Sequence, residues 1–165
     1  MQVLSYLSLG SNLGNRRANL KKACELLKQS AGVKFIKSSA VYKTRPVGPV
    51  EQREFLNAAV KLKTVLSPTE LLTLCKQIEK LMKRKKTVKW GPRIIDLDIV
   101  LFGNLNLKSK QLTIPHKEME KRQFVLKPLI DIYGRGKHPV TGRTFKSMLK
   151  KLAGESKIRK VWTKI

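Results

Sequence analysis

Residues 55–82 read FLNAAVKLKTVLSPTELLTLCKQIEKLM and place a strand directly before a helix. From Phe55 to Thr64 apolar residues alternate along the chain, which predicts a strand with Phe55 and Asn57 on the same face. The tetrapeptide SPTE at 67–70 is a capping box with proline at the first helical position, so a helix begins there. Apolar residues at three- and four-residue intervals predict its buried stripe: Leu71, Leu74, Cys75, Ile78 and Met82.

The flanking segments continue the alternation of strands and helices. They predict a strand at Val3–Leu9, a helix with apolar residues from Leu20 to Ala31 that stops at Gly32, a strand at Val33–Lys43, a loop at Thr44–Glu54 and a strand at Ile94–Phe102. The resulting order, βαββαβ, is that of a ferredoxin-like core. We therefore expect an α+β fold, an antiparallel sheet with two helices packed on one face.

The C-terminal third carries weaker patterns that predict additions to this core. They are a short strand near Leu112–Ile114, a helix at Thr144–Leu152 and a strand at Lys157–Thr163. A chain of 165 residues is long enough for one well-packed core and too short for two ordinary domains. We expect a single domain over residues 1–165, elaborated at its C-terminus.

Net charge is the outlying property of the composition, since 36 Lys and Arg stand against 11 Asp and Glu, giving +25. A field of this sign attracts polyanions such as nucleic acids. The basic residues are spread over every segment with few aromatic residues between them, so the stripe and motif of a specific nucleic-acid-binding protein are missing. We therefore expect no specific nucleic-acid partner. The alternative interpretation of the net charge is a lysine-rich surface exposed to solvent.

Two further features bear on the compartment of the protein. Cys24 and Cys75 lie among apolar residues at helical spacing, which indicates small core residues rather than a disulfide framework or a zinc site. No apolar run reaches the ~20 residues of a bilayer span, and the N-terminal sequence lacks the basic lead of a secretory signal. We expect a cytoplasmic protein with no membrane partner.

Two of the three aspartates, Asp96 and Asp98, stand two positions apart within the predicted strand Ile94–Phe102. Such positions share one face of a strand with Cα atoms roughly 6.5–7 Å apart, so the carboxylates repel each other unless a cation intervenes. The opposite, buried face is expected to carry Ile95, Leu97, Ile99 and Leu101. Two interpretations fit: a pair of Mg²⁺ ions roughly 3.5–4 Å apart that bridge to nucleotide phosphates, or simple ion pairs with Arg93 or a lysine.

Several blocks of sequence then occur in a characteristic order. They are LGSNLGN at 9–15, YKTRPVGP at 42–49, FLNAAV at 55–60, WGPRIIDLDI at 90–99, LFGN at 101–104, PH at 115–116, Met119, Arg122, FVL at 124–126 and PL at 128–129. From about Leu4 to Ile132 the chain resembles the 6-hydroxymethyl-7,8-dihydropterin pyrophosphokinases, and the block at 90–99 is the most distinctive. The resemblance implies an α/β sandwich elaborated from a ferredoxin-like core. It also implies an ATP-dependent transferase of folate biosynthesis, which moves pyrophosphate from ATP to the hydroxymethyl group of the pterin and releases AMP.

The resemblance also implies roles for individual residues. Asp96 and Asp98 would hold two Mg²⁺ ions that clamp the ATP phosphates, and with Arg84 and Arg93 they are the expected catalytic residues. The expected ATP site comprises Arg84, Trp90, Arg93, Ile99, His116 and Arg122. The expected pterin site comprises Thr44, Arg45, Val47, Phe55, Asn57, Trp90 and Phe124, in which the two phenylalanines stack on the ring and the amide reads its edge.

Three residues depart from the usual pattern of that family. Lys83 stands where the family usually has glycine, Lys86 where it usually has a second arginine, and Lys117 where an aromatic residue often follows the histidine. Lys86 keeps a positive charge and loses the planar fork of arginine. We expect a working enzyme with an altered lid at Lys83–Lys89, where five of seven residues are basic, repel one another and become ordered only when ATP and metal bind.

Two alternatives come from other functional classes. A ferredoxin-like sheet can bind single-stranded nucleic acid through aromatic residues on its central strands, but the aspartate pair stands there instead. A catalytically inactive relative kept as a binding module would be expected to lack Asp96, Asp98 or Arg93, and all three are present. We expect a monomer that binds ATP and the hydroxymethyl pterin.

Overall fold

The computed structural model describes residues 1–46, 51–84, 91–154 and 157–165. The strands in these ranges are β1 (Val3–Ser11), β2 (Val33–Ser38), β3 (Val41–Thr44), β4 (Phe55–Thr64), β5 (Asp96–Phe102), β6 (Leu107–Lys108), β7 (Thr113–Ile114) and β8 (Arg159–Trp162). The helices are α1 (Arg16–Gln29), α2 (Pro68–Leu81), α3 (Gln123–Tyr133) and α4 (Phe145–Lys151), with a 3₁₀ turn at Met119–Lys121.

The main sheet has the order β5-β1-β4-β3-β8, with β2 also paired to β4, and its strand pairs are antiparallel. This order confirms the ferredoxin-like α+β prediction. The strand predicted at Val33–Lys43 is two strands, because Ser39 interrupts the ladder. Its Oγ accepts the N–H of Ala59, and its own N–H donates to the carbonyl of that residue, both at 2.8 Å.

Helices pack against both faces of the main sheet. On one face α1 and α2 bury Leu20, Leu27 and Leu71 against β1 and β4, as the prediction of two helices on one face requires. On the other face α3 and α4 form a second apolar layer around the fully buried Phe145. The sequence did not predict α3, because Pro128 lies inside it and proline normally ends a helix. This second layer is the C-terminal elaboration of the core.

A β-bulge changes which face of the sheet the end of β5 uses. Tyr6 of β1 pairs with Leu101, whereas the next pair along β1 uses Ile99, so Val100 is an extra residue in the ladder. Leu101 therefore packs in the layer of α3 and α4, and Leu97 and Ile99 pack on the side of α1 and α2. The expectation that Leu101 shares the face of Leu97 is wrong.

The remaining elements lie close to their predicted positions. The capping box is confirmed, since Ser67 accepts the N–H of Glu70 and the Glu70 carboxylate accepts the N–H of Ser67. β1 continues two residues beyond the predicted Leu9 and stays paired with β4 to its end.

Cys24 and Cys75 are buried and free. In the described part of the chain, no helix is long and apolar enough to cross a membrane.

Candidate active site

A cavity of about 440 Å³ opens where the C-terminal end of β1 meets the N-terminal ends of β4 and β5. The start of α3 forms the opposite wall. Sequence-predicted site residues that line the cavity are Thr44, Arg45, Phe55, Asn57, Arg93, Asp96, Asp98, Arg122 and Phe124. The structure thus brings nine of the expected residues around one space, with the charged residues and the aromatic residues both represented.

The two aspartates project from the same side of β5 into this cavity, as their spacing predicts. Asp96 accepts Arg84 Nη2 at 2.7 Å on one oxygen and Arg93 Nη1 at 2.5 Å on the other. Burial raises the pKa of the Asp96 carboxyl, and the charges of Arg84 and Arg93 oppose that rise. The ion-pair interpretation of the sequence therefore holds for Asp96 in this ligand-free structure.

Asp98 has a different environment, although it lies two residues away on the same strand. It forms no hydrogen bond or ion pair with any residue in the described ranges. Its cross-strand neighbour is Ser8, which also lines the cavity. Two neighbouring carboxylates on the cavity wall, one of them with no hydrogen bond or ion pair among the described residues, are a donor set suited to a hard divalent cation such as Mg²⁺. Within the described residues, no group of three or more His, Cys, Asp or Glu side chains is placed to hold a metal ion.

Arg84 is anchored at the C-terminal end of α2 rather than free on a loop. Its guanidinium pairs with Glu79 as well as Asp96, and its N–H donates to the carbonyl of Glu79 at 3.0 Å. The N–H of Lys83 likewise bonds to Lys80 at 2.9 Å. These bonds attach the first two residues of the predicted lid to α2. Lys85–Lys89 lie outside the described residues, and ordering of Lys83–Lys89 on ligand binding stays a prediction.

Glu79 supports two parts of the predicted site, Arg84 and the strand of Asp96, and the sequence analysis did not select it. Its side chain is 5% exposed, pairs with Lys76 and Arg84, and accepts the N–H of Leu97 at 2.9 Å. The signal was available, because position 79 lies one turn after Cys75 on the apolar stripe of α2. A carboxylate on a buried helix face requires partners, and here it ties α2 to the strand that carries the aspartates.

Asn12 holds the backbone of Arg93 through two hydrogen bonds. The Asn12 side-chain oxygen accepts the N–H of Arg93 at 2.7 Å, and the N–H of Asn12 donates to the Arg93 carbonyl at 3.1 Å. The amide nitrogen of Asn12 donates to Gln52 at 2.7 Å and to the carbonyl of Arg53 at 3.2 Å. Asn12 is 1% exposed, so it joins the loop before β4 to the arginine segment through buried hydrogen bonds.

The other end of the cavity combines aromatic rings with an amide. Asn57 is buried, and its Nδ2 donates to Thr44 Oγ1 at 2.7 Å. A Cβ at position 10 would lie 3.1 Å from Asn57 Oδ1, so glycine at that position leaves room for the amide. Phe55 and Phe124 are both half-buried on the cavity wall. This end therefore suits a planar ligand with hydrogen-bonding edges.

Of the predicted site residues within the described ranges, Arg84, Ile99 and His116 are not among those that line the cavity. The Ile99 side chain is buried in the core layer of α1 and α2, so only its backbone is available to a ligand. The backbone N–H of His116 donates to the Val100 carbonyl at 3.0 Å. Burial lowers the pKa of the His116 imidazole, and the negative charge of Asp98 opposes that change. Val47 and Trp90 lie outside the described residues.

The cavity also has lining residues that the sequence analysis did not select: Ser8, Gly10, Gln52, Gly91, Glu118, Lys121 and Gln123. Most are neighbours in sequence or in register of predicted residues, so only the three-dimensional pairing could identify them. Arg122 lies with its guanidinium carbon 5.7 Å from the centre of the Phe124 ring. The arginine and the aromatic wall are therefore adjacent.

The fold and the site together define a class of protein: a ferredoxin-like α+β domain whose sheet end suits one phosphorylated and one planar ligand. The chain belongs to the 7,8-dihydro-6-hydroxymethylpterin-pyrophosphokinase (HPPK) family, whose model matches residues 6–134. The resemblance read from the sequence blocks is confirmed by this match.

Curated relatives agree with the family assignment. A Bacillus subtilis protein named 2-amino-4-hydroxy-6-hydroxymethyldihydropteridine pyrophosphokinase is 48% identical over 132 residues, which cover 80% of this chain and 79% of that protein. A Haemophilus influenzae protein of the same name is 38% identical over 79% of this chain and 81% of its own length. The folic acid synthesis protein fol1 of Pneumocystis carinii is 44% identical over 89% of this chain, which spans 20% of that relative.

Solved structures agree on the fold. The HPPK-DHPS protein of Plasmodium falciparum superposes with a TM-score of 0.75 at 20% identity, over 94% of this chain and 46% of that one. At this identity the likeness concerns the fold alone, and it is consistent with the ferredoxin-like strand order described above.

Proposed function

We propose that this chain transfers the pyrophosphoryl group of ATP to the hydroxymethyl group of 6-hydroxymethyl-7,8-dihydropterin and releases AMP, a step of folate biosynthesis. Its family makes it a pyrophosphokinase, an enzyme of the transferase class. The observation that carries the proposal for the site is that one cavity joins a carboxylate and arginine end to an aromatic and amide end. Two substrates of these two chemistries would meet between them.

At the charged end, Asp96 and Asp98 would hold two Mg²⁺ ions. The fit rests on Asp98, whose carboxylate lines the cavity without a partner among the described residues, and on its neighbour two positions away. When bound, the ions supply charge neutralisation for the polyphosphate, which is the main demand of phosphoryl-type transfer.

The arginines of the chain bind and orient the polyphosphate. Arg93 is held by the backbone bonds to Asn12, so its planar guanidinium meets phosphate oxygens from a fixed position. Arg84 and Arg122 add donors from the end of α2 and the start of α3. We assign the rest of the ATP site to His116, the backbone of Ile99 and Trp90.

At the aromatic end, Phe55 and Phe124 would stack on the two faces of the pterin ring. Asn57 would read its edge, because Thr44 fixes the orientation of the amide. We assign Arg45, Val47 and Trp90 to the same subsite as further contacts. Stacking would aim the hydroxymethyl group along the cavity towards the arginines, and holding two reactants in this way removes much of the entropic barrier to their reaction.

The reaction forms one bond and breaks one bond. The hydroxymethyl oxygen bonds to the β-phosphorus of ATP, the bond between the β-phosphorus and the α–β bridging oxygen breaks, and the hydroxyl proton is released. AMP leaves with that bridging oxygen. In this structure Arg84 and Arg93 both pair with the Asp96 carboxylate. We therefore assign them to stabilising the negative charge of the transferred pyrophosphoryl group.

A nucleic-acid-binding module is not favoured as the primary function, because family membership supports pyrophosphoryl transfer. An inactive relative is opposed by the presence of both aspartates and Arg93 at the cavity. A single domain over 1–165, a monomeric state and a cytoplasmic location remain predictions.

The test is to incubate the protein with ATP, Mg²⁺ and the hydroxymethyl pterin and to identify the nucleotide product by chromatography. We expect AMP in equal amount to a diphosphorylated pterin, with no turnover when the pterin is omitted or EDTA is added. ADP as the product would refute pyrophosphoryl transfer, and an absence of both products would favour the binding module.

A further inference from the structure

Four lysines meet at one end of the main sheet, in pairs that the strand register sets directly opposite each other. β2 and β4 place Lys34 opposite Lys63 and Lys37 opposite Lys61. Opposite residues of adjacent strands have Cβ atoms about 4.5–5.5 Å apart. We call these four residues the lysine face.

The lysine face points away from α1 and α2. Along β4, Lys61 and Lys63 alternate with Val60 and Leu62, which are buried in the layer of those two helices. Because side chains alternate across a strand, both lysines project from the opposite side of the sheet. That is the side which α3 and α4 cover elsewhere.

The helical cover ends beside the lysine face. The Tyr6 ring packs on Tyr133, the last residue of α3, with ring centres 4.6 Å apart, and Lys61 Nζ lies 5.6 Å from the Tyr6 ring centre. Beyond this border Lys63 and its β2 partner are exposed. The end of the sheet is therefore open to a partner.

Within the described ranges, Lys34, Lys37 and Lys63 form no hydrogen bond or ion pair. Like charges directly opposite each other on a sheet oppose folding, and the register of β2 and β4 places both lysine pairs in this arrangement. A bound polyanion would offset this repulsion at all four positions.

We propose that the lysine face binds the phosphate backbone of single-stranded nucleic acid without regard to base sequence. A flexible single strand can bring one phosphate to each lysine, whereas a stiff duplex meets a flat surface at fewer points. Tyr6 is 5% exposed, so the aromatic ring nearest the lysines offers no platform for base stacking. The exposed apolar side chains beside these lysines are Leu4, opposite Lys63 in register, and Ile36, between Lys34 and Lys37 in β2. Two such side chains give far less insertion into a lipid surface than the continuous apolar face of an amphipathic helix.

This surface is separate from the active site, so it goes beyond the proposed function. Lys63 lies six positions along β4 from Asn57, which is about 20 Å. It also differs from a sequence-reading module, because it contacts phosphates only.

The test measures binding of a fluorescent 20-nucleotide RNA of mixed sequence between 50 and 200 mM salt. Four phosphate contacts predict a slope of log affinity against log salt of about −2.8, or about a 50-fold loss over this range. The double variant Lys34→Gln/Lys63→Gln should halve the slope and lose only about 7-fold. The matched control Lys21→Gln/Lys22→Gln removes the same charge from exposed positions of α1 and should keep the parent slope.

The proposal predicts equal binding of a single-stranded DNA of the same length, and pyrophosphokinase activity of the Lys34→Gln/Lys63→Gln variant equal to the parent. Equal slopes for the two double variants would refute the lysine face, because net charge would then explain the binding. Failure to bind RNA at 50 mM salt would also refute it. So would binding to vesicles of acidic lipid that is stronger than binding to RNA.

Discussion

Replacing Asp98 by asparagine should separate catalysis from stability. The carboxylate has no hydrogen bond or ion pair among the described residues, so the change in unfolding free energy should stay within about 0.5 kcal/mol. For a domain of this size that is a Tm change below about 2 °C. Turnover should fall by at least about 10³-fold, a barrier increase of about 4 kcal/mol, because a ligand to the cation that neutralises the polyphosphate is lost.

The assay for Asp98→Asn is AMP formation at saturating ATP, Mg²⁺ and pterin, with pterin affinity and thermal unfolding measured on the same sample. Pterin affinity should change less than twofold, since the aromatic end of the cavity is untouched. Glu118→Gln is the matched control, because it removes one negative charge from the wall of the same cavity and should cost less than tenfold. Asp98→Asn turnover within tenfold of the parent, in a protein that unfolds normally, would refute the metal assignment.

The remaining predictions address the pterin wall, the buried carboxyl and the lid. Phe124→Ala should weaken pterin binding by about 1–3 kcal/mol and leave ATP binding unchanged by calorimetry; equal losses for both ligands would indicate general damage instead. Burial raises the pKa of Asp96 above its unfolded value of about 3.9, so the parent should lose stability relative to Asp96→Asn as pH rises through that raised pKa. Urea unfolding at pH 4 to 8 measures this trend, and a relative gain with rising pH would contradict it. Hydrogen exchange over 83–89 should slow when a non-hydrolysable ATP analogue, Mg²⁺ and pterin are added together, and unchanged exchange would exclude a lid.

Local patterns predicted the parts of the fold that local forces decide. The capping box at 67–70 and the alternation from Phe55 to Thr64 both match the structure to the residue. The division of 33–43 into β2 and β3 could not be predicted from local sequence. It depends on the hydrogen bonds between Ser39 and Ala59 of β4, which lies 20 residues further along the chain. The Val100 bulge likewise depends on pairing with β1. The pattern of apolar residues within β5 does not indicate it.

The site shows the same division between local and long-range information. The spacing of Asp96 and Asp98 was enough to place both carboxylates on one side of a strand. The spacing could not show that Arg84 and Arg93 pair with Asp96, while Asp98 has no hydrogen bond or ion pair among the described residues. The contacts that distinguish the two come from outside β5: Arg84, which Glu79 holds at the end of α2, and Arg93 on the segment before β5.

The measurement that tests the central claim most directly follows the phosphorus atoms of ATP into the product. Two parallel reactions would use ATP labelled at the β-phosphate or at the γ-phosphate, with the same pterin and Mg²⁺. Transfer of an intact pyrophosphoryl group predicts that both labels appear on the pterin in equal amount and that AMP carries neither. Transfer of the γ-label alone, with the β-label retained in ADP, would contradict the account.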